Sequence, residues 1–301
     1  MIADIMKIFI TGGSGRIGYK FFEYLSKENN DLVCTFMNHK IDIPEARKLD
    51  LTNKKDTISL IEKERPELVI HTAALTNVDL CEKYRGLADL QNVEATRNVI
   101  EGCVKARSKI IFLSSSFVFS GKKSPYIEED TPDPINYYGF TKVESEKQII
   151  QSGLDFLILR VDQPYDWIKT WQNDNQVTKV LKALKNGKIY EDVTDWYNNP
   201  TFAPNIVEAV IQLVKRGKGG VYNLVGSSYI SRYDWSITIA DVFSKDRRLI
   251  KPINSQKLNL IAVRPNVNMS NTKAERDSGV VLVGIKEGLE KMKSNFKENN
   301  F

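Results

Sequence analysis

The sequence has few of the residues on which metal and disulfide chemistry depend. Its only histidines are His39 and His71, too few for a histidine-based metal centre. Its three cysteines, Cys34, Cys81 and Cys103, are odd in number, far apart and without CxxC spacing. These residues predict buried thiols in a reducing compartment and no metal site. We expect His71 to be a hydrogen-bonded core histidine rather than a catalyst.

Long hydrophobic runs and an excess charge of one sign are also scarce. No apolar run approaches the roughly 20 residues that span a bilayer, and we expect no signal peptide. Against 43 basic residues stand 38 acidic ones, which leaves a net charge of only +5 without an arginine-rich run. We therefore expect a cytoplasmic protein that binds neither a membrane nor a nucleic acid.

The apolar residues that are present alternate between strand-like and helix-like patterns. Continuous apolar runs, which predict buried strands, lie at 7–11, 32–36, 68–70, 109–113 and 156–159. Helical spacing fills the intervals, for instance at 53–64 and about 87–107. Buried strands separated by helices are typical of a parallel sheet covered on both faces. The expected fold is a doubly wound Rossmann α/β fold.

A glycine-rich segment, TGGSGRIG, lies between the first apolar run and an amphipathic stretch. Strand, glycine-rich turn and helix in this order suit a dinucleotide site. Gly12 permits a tight turn, Gly15 lets the main chain approach a pyrophosphate, and Gly18 lets helix and strand pack closely. The helix N-terminus, with Arg16 and Ile17, then offers N–H groups and a partial positive charge to phosphates.

A second segment, YYGFTK, places Tyr138 and Lys142 four residues apart, hence on one face of a helix. A tyrosine ordinarily titrates near pH ~10. Because an ammonium group favours the phenolate, we expect Lys142 to lower the pKa of Tyr138 towards neutrality. Together with the glycine-rich turn, this pair predicts a nucleotide-dependent oxidoreductase.

Basic residues after the second strand favour NADP over NAD. NAD-binding folds place an acidic residue there, roughly 20 residues past the glycines, to hold the ribose 2′-hydroxyl. This chain has FMNHK, with no carboxylate before Asp42. Arg16, His39 and Lys40 would instead meet a 2′-phosphate, so the expected cofactor is NADP(H).

Several motifs in order resemble the extended short-chain dehydrogenase/reductase family: TGxxGxxG, HTAA, LSSSFVFSG and YxxxK. RPELVIHTAALTNVD, INYYGFTK, NNPTFAP and RPNVNMSN are similar to its dTDP-4-dehydrorhamnose reductase group. The resemblance extends from residue 7 to about 285. It implies a Rossmann domain with a smaller C-terminal substrate-binding lobe, and reduction of a sugar carbonyl by NADPH.

The resemblance also implies roles for single residues. Ser115 would be catalytic, its hydroxyl bonding the substrate carbonyl oxygen beside Tyr138, while Lys142 would also hold the nicotinamide ribose. The remaining cofactor positions are Asp50 and Leu51 at the adenine, Ala73 and Ala74 along the cofactor, and Asn92 on a supporting helix.

A diphosphate in the substrate calls for cations and amide groups in the C-terminal lobe. Arginine suits this task because its planar fork donates two parallel hydrogen bonds. The substrate candidates are Ser115, Ser116, Asn198, Asn199 and Arg264, with Arg160 and Arg232 as further cations. The four tryptophans are expected in the core of the lobe.

The strand–helix alternation decays after the last of the five apolar runs, which sets the predicted domains. We expect an NADP-binding Rossmann domain over 1–160, with 200–225 returning to it. A substrate-binding lobe would cover 161–199 and 226–285, and a C-terminal helix and tail 286–301. A homodimer is left open.

Three functions stay open. The favoured one is an NADPH-dependent reductase of a nucleotide-linked 4-keto-6-deoxyhexose, most simply dTDP-4-dehydro-L-rhamnose. A non-enzymatic alternative is an NADP-binding regulatory subunit, since that of methionine adenosyltransferase resembles the same group; a second alternative is a nucleotide-sugar epimerase. Related dehydratases carry an Asp-Glu pair where this chain has Ser116-Phe117, so dehydration is not expected. Ser116 and Ser120 both stand where the reductase group usually has an acidic residue.

Overall fold

The computed structural model describes residues 6–28, 30–41, 43 and 46–296. Its strands are β1 (Lys7–Thr11), β2 (Asp31–Phe36), β3 (Ala46–Lys48), β4 (Leu68–His71), β5 (Lys109–Ser115), β6 (Phe156–Val161), β7 (Pro164–Tyr165), β8 (Tyr190–Val193), β9 (Tyr197–Asn198), β10 (Thr201–Phe202), β11 (Gly220–Leu224), β12 (Ile230–Ser231) and β13 (Ile250–Ile253).

The α-helices are α1 (Arg16–Leu25), α2 (Lys54–Glu64), α3 (Val78–Lys83), α4 (Arg85–Ala88), α5 (Ala95–Ala106), α6 (Tyr137–Gln151), α7 (Gln176–Lys185), α8 (Ala203–Lys215), α9 (Arg232–Val242), α10 (Thr272–Ser278) and α11 (Ile285–Ser294). A wide π-type turn, Asp89–Glu94, leads from α4 into α5. Short 3-10 turns cover Ser116–Val118, Arg247–Leu249 and Ser255–Leu258.

Seven strands form one sheet in the order β11-β6-β5-β4-β1-β2-β3. The pairs β1–β2, β1–β4, β2–β3 and β4–β5 are all parallel. Their continuous apolar runs are buried: every residue of β4, and all of β1 after its first residue. This sheet confirms the predicted Rossmann α/β fold.

The strand order changes direction at β1. The chain adds β2 and β3 on one side of β1 and then returns to place β4 on its other side. In open parallel sheets, such a reversal leaves a crevice at the carboxyl ends of the strands, where ligands bind. The glycine-rich turn after β1 and the segment after β4 therefore lie at the position where a ligand is expected.

By their internal contacts, the described residues form two compact units. The first contains the described residues up to Val118 together with Pro134–Leu159 and Gly217–Val221; its core includes Phe9, Val69, Ile110 and Phe112. The second contains Phe119–Asp133, Arg160–Arg216 and the described residues from Tyr222 onward. This division differs from the predicted boundaries, because 119–133 group with the second unit and only 217–221 of 200–225 group with the first.

The second unit is more regular than the sequence predicted. Helix α7, which was not predicted, runs for 10 residues and begins with a capping box at Asn175. Strands β8 and β13 pair in parallel, which was not predicted. The apolar core of this unit contains Trp235 and Tyr165, both fully buried.

The cysteines and the lengths of the helices were also the subject of predictions. Cys34, Cys81 and Cys103 are all buried free thiols, as predicted. Of the helices described, none has the length and apolar character needed to cross a membrane. The predicted tail beyond residue 296 lies outside the described residues.

Candidate active site

The predicted cofactor segments follow four neighbouring parallel strands of the first unit. Because the carboxyl ends of parallel strands meet at one edge of a sheet, these segments share that edge. They are the glycine-rich turn after β1, His39 and Lys40 after β2, Asp50 and Leu51 after β3, and Ala73 and Ala74 after β4.

The glycine-rich turn presents main chain rather than side chains. Gly12 has a φ of +66°, and a Cβ there would lie 2.9 Å from the main chain of Ala73. A Cβ at Gly18 would lie 2.4 Å from the Gly12 carbonyl oxygen, so helix α1 approaches the turn more closely than any side chain allows. The helix begins at Arg16 after Gly15, which supplies no side-chain cap. This cradle fits a pyrophosphate.

Basic side chains lie at the adjoining strand end. The Gly13 N–H donates to the Thr35 carbonyl oxygen at 2.7 Å and ties the turn to β2. His39 and Lys40, just beyond β2, are exposed, and Arg16 is partly exposed. A 2′-phosphate bound at this strand end would find these side chains accessible.

The segment after β3 makes hydrogen bonds within itself and contributes to the core of the first unit. The Asp50 carboxylate accepts hydrogen bonds from the Thr52 N–H at 2.9 Å and the Thr52 hydroxyl at 2.7 Å. Leu51 is buried in the core of the first unit. Asp50 is exposed and Leu51 is not, so of these two side chains only that of Asp50 is accessible. Asp42 lies outside the described residues.

The structure brings Ser115 and Tyr138 into contact. Ser115 ends β5, and its hydroxyl accepts the Phe117 N–H at 3.2 Å and also hydrogen-bonds Tyr138. Helix α6 is capped by Asn136, whose side chain accepts the Gly139 N–H at 2.8 Å. A Cβ at Gly139 would lie only 2.0 Å from the Phe117 carbonyl oxygen. This close packing fixes the helix against the end of β5.

Lys142 lies one turn further along α6 and is buried. Its Nζ donates to the Leu113 carbonyl oxygen at 2.9 Å and lies 4.7 Å from the Phe112 ring centroid. The same atom is 5.8 Å from the centroid of the Tyr138 ring. Ser115, Tyr138 and Lys142 are therefore assembled within the first unit.

The electrostatics of the pair differ from the prediction. Burial raises the pKa of Tyr138, although the hydrogen bond from Ser115 acts in the opposite direction. Burial also lowers the pKa of Lys142 to about 8, opposed by the negative charge of Glu146. The pKa of Tyr138 is therefore raised and not lowered towards neutrality as expected, because the cost of burying a phenolate dominates. Tyr138 therefore holds its proton at neutral pH and can donate it.

His71 confirms the prediction of a core histidine. Its Nδ1 lies 2.7 Å from the Thr11 hydroxyl, and its Nε2 lies 3.0 Å from the Thr96 hydroxyl. Burial lowers the pKa of His71 to about 3, and the charge of Lys142 adds to this effect. The ring is neutral across the physiological range.

Asn92 fastens the segment after β4 to α6. Its Oδ1 accepts the Leu75 N–H at 2.7 Å, and its Nδ2 donates to the Leu75 carbonyl at 3.1 Å and to the Thr141 hydroxyl at 3.0 Å. These bonds fit the supporting role that the resemblance implies. They occupy both N–H bonds of Nδ2, so any contact of this side chain with a cofactor donor would fall to its Oδ1.

Two serines mark departures from the reductase group. Ser116 is almost fully buried in the first unit. Ser120, in the second unit, donates its hydroxyl to the Asp133 carboxylate at 2.5 Å, and its N–H donates to the same carboxylate at 2.9 Å. Asp133 thus places a carboxylate in direct contact with Ser120.

The second unit contains the predicted asparagines, both buried. Asn199 links three segments: its N–H donates to Asp162 at 2.7 Å, its Nδ2 to Asn268 at 3.2 Å, and its Oδ1 accepts the Met269 N–H at 2.9 Å. Asn198 is different, because its buried Oδ1 has no hydrogen-bond partner among the described residues. Asn199 is therefore a structural link, and Asn198 has an acceptor to offer.

Trp196 joins the two arginines of the second unit. The guanidinium carbon of Arg232 lies 4.8 Å from the Trp196 ring centroid, and that of Arg264 lies 5.9 Å from it. The Arg264 guanidinium also donates to the Ala262 carbonyl at 2.7 Å. Within the part of the chain that the structure describes, the buried Nε1 of Trp196 has no hydrogen-bond partner. The sequence predicted only a core position for this tryptophan, although the arginines in RYDW and AVRP could have suggested stacking.

Arg160 and Arg232, the further candidate cations for substrate binding, both have partners within the protein. Arg160 is buried, donates to the Glu128 carbonyl at 3.3 Å and lies 4.9 Å from the Phe119 ring centroid. Arg232 donates to Asp192 at 3.2 Å. Arg160 is thus a structural residue of the second unit. The described residues include no group of three His, Cys, Asp or Glu side chains that could hold a metal ion.

The fold and this Ser-Tyr-Lys set define an extended short-chain dehydrogenase/reductase. The chain belongs to the RmlD substrate binding domain family, whose model matches residues 6–298.

The proteins to which the chain is similar include reductases and a regulatory subunit. It is 28% identical over 287 residues to a dTDP-4-dehydrorhamnose reductase of Aggregatibacter actinomycetemcomitans, covering 91% of this chain and 94% of the relative. It is 25% identical over 295 residues to methionine adenosyltransferase 2 subunit beta of Rattus norvegicus, covering 94% of this chain and 87% of the relative. A solved dTDP-4-dehydrorhamnose reductase of Bacillus anthracis, in complex with NADP, has a TM-score of 0.87 at 23% identity, covering 97% of this chain and all of that one.

Proposed function

We propose that the chain is an NADPH-dependent reductase of a nucleotide-linked 4-keto-6-deoxyhexose, most simply dTDP-4-dehydro-L-rhamnose. The observation that carries the proposal is the hydrogen-bonded pair Ser115 and Tyr138, with Lys142 one helical turn away. The 28% identity to a reductase along nearly the whole chain supports the choice of substrate class.

The cofactor residues follow from the sheet edge. The main chain around Gly12 and Gly15 would hold the pyrophosphate, while Arg16, His39 and Lys40 would hold the 2′-phosphate of NADPH. When bound there, NADPH supplies a hydride from C4 of its nicotinamide to the carbonyl carbon of the sugar.

The chain's own residues handle the proton. Ser115 and Tyr138 present hydroxyl groups to the same carbonyl oxygen, which gains negative charge as the carbonyl is reduced. Tyr138 donates its phenolic proton to that oxygen and so completes the alcohol. The ammonium of Lys142 stabilises the Tyr138 phenolate that remains. This phenolate then takes up a proton from solvent.

We propose that the second unit binds the nucleotide sugar. Arg264 would donate to the diphosphate, and the Asn198 acceptor and Trp196 donor are buried polar atoms that a ligand could satisfy. Ser116 and Asn199, which were also predicted to bind substrate, are buried.

The first unit has a row of exposed apolar side chains that could contact another protein. Leu80, Tyr84, Leu87 and Leu90 expose between 39% and 48% of their area along α3, α4 and the π-type turn. Exposed apolar groups in such a row favour a protein contact. We propose a homodimer through this row under the reductase hypothesis. A regulatory subunit, the second candidate, would use it to hold its enzyme. Three free thiols favour a reducing, cytoplasmic location.

The test is NADPH oxidation by purified protein with a panel of dTDP- and UDP-linked 4-keto sugars. A reductase consumes one NADPH for each alcohol formed, whereas an epimerase consumes none overall. If the protein binds NADPH, reduces no sugar in the panel and co-purifies with a partner enzyme, the regulatory function replaces the reductase.

A further inference from the structure

We propose that Glu146 and Ser114 form a buried pair that keeps Lys142 charged and in place beside Tyr138. The effect on catalysis rests on the proposed reductase function, whereas the effect on Lys142 itself does not.

Three successive residues of β5 contact one face of α6. The Leu113 carbonyl oxygen accepts a hydrogen bond from the Lys142 ammonium at 2.9 Å. The Ser114 hydroxyl donates to the Glu146 carboxylate at 2.5 Å. The Ser115 hydroxyl hydrogen-bonds Tyr138. Tyr138, Lys142 and Glu146 follow each other at four-residue intervals, which places them on one face of the helix. The Ser114–Glu146 bond is therefore part of the same strand–helix contact as the catalytic groups.

The pair is buried, and charges interact more strongly in a buried environment than in water. Lys142 and Glu146 are each 3% exposed, and Ser114 is 2% exposed. A buried ammonium without a counter-charge tends to lose its proton, because the low-dielectric interior disfavours the charged form. A carboxylate one helical turn away opposes that loss. The Ser114 hydroxyl fixes the carboxylate in this position.

Other titratable groups facing Lys142 do not supply the counter-charge at neutral pH. They are Tyr138 on α6, Cys81 on α3 and His71 on β4. Burial raises the pKa of the Cys81 thiol to about 11 and lowers that of His71 to about 3. Tyr138 also holds its proton. The negative charge that acts on Lys142 is therefore supplied by Glu146 and not by these three groups.

The test is the ionisation of Lys142 in Glu146→Gln. Glutamine keeps the shape of the side chain, and its amide oxygen can still accept the Ser114 hydroxyl, so only the charge is removed. The pKa of Lys142, about 8 in the parent protein, is followed by NMR of ¹³Cε-labelled lysine, with Lys142→Met identifying its signal. We expect the midpoint to fall by about 1 pH unit or more.

Matched variants separate charge from structure. Glu144→Gln changes a carboxylate of the same helix that pairs with the exposed Lys147, and should leave the Lys142 midpoint unchanged. Ser114→Ala keeps the charge but frees the carboxylate, and should lower the midpoint by less than Glu146→Gln does. It also provides a second test if Glu146→Gln does not fold.

The outcomes are distinct. If the Lys142 midpoint stays at its parent value in Glu146→Gln or in Ser114→Ala, the pair does not hold the charge and the proposal fails. If the midpoint falls, the upper limb of the pH–activity profile should fall by the same interval. A shifted midpoint in a protein that reduces no sugar supports the pair and removes only the proposed function.

Discussion

Acid should destabilise the folded protein through His71. The buried ring has a pKa of about 3, against 6.5 for an unperturbed histidine. Because the folded-state pKa is depressed, the unfolded chain binds this proton first, and stability is lost as the pH falls below 6.5. At pH 5 the unfolded histidine is charged and the folded one is not. The interval of about 1.5 pH units corresponds to about 2 kcal/mol of lost stability relative to pH 7.5.

The assay is urea denaturation at pH 7.5 and pH 5 for the parent protein and His71→Gln. Glutamine cannot titrate, so the variant should lose about 2 kcal/mol less between the two pH values, even if it is less stable at both. His39→Gln, at an exposed position, is the control and should retain the parent's acid dependence. Parallel losses in the parent and His71→Gln would refute the assignment of a neutral, buried His71.

Further predictions concern packing, cofactor and substrate. Gly139→Ala should lower the free energy of unfolding by about 1–3 kcal/mol, measured in urea, because its Cβ would meet the Phe117 carbonyl at 2.0 Å; unchanged stability would contradict the close approach. Replacing Arg16 and Lys40 by serine should weaken NADPH binding about tenfold or more and leave NADH binding unchanged, as measured by fluorescence titration; equal losses would exclude a 2′-phosphate contact. Arg264→Ala should raise the KM for the nucleotide sugar about tenfold at constant NADPH affinity; an unchanged KM would remove Arg264 from the site.

The parts that the sequence predicted correctly have local signals. Strands β1, β2, β4, β5 and β6 contain the continuous apolar runs that predicted them, whereas β3, with the sequence ARK, has no such run. The positive φ of Gly12 and the close contacts at Gly12 and Gly18 require glycine, so the residue type itself indicated the turn. Tyr138 and Lys142 are four residues apart, so helix geometry alone places them on the same face. The shared edge for the cofactor segments follows from parallel pairing.

The remaining features depend on distant contacts. Strand β8 pairs with β13 about 60 residues later, and neither segment carries a strong strand pattern. The pKa of Tyr138 depends on burial, which residue spacing does not give. Helix α7 is the exception, since Val177, Val180, Leu181 and Leu184 follow the capping residue Asn175 at helical spacing. That helix could have been predicted.

The most direct test of the proposed chemistry is the turnover of Tyr138→Phe. The variant keeps the ring against Phe117, with which Tyr138 makes an edge contact at 6.2 Å between ring centroids, and removes only the proton donor. With saturating NADPH and dTDP-4-dehydro-L-rhamnose, the account predicts a kcat lowered by about 10²–10⁴-fold at an unchanged NADPH Kd. Full reductase activity in Tyr138→Phe would contradict it.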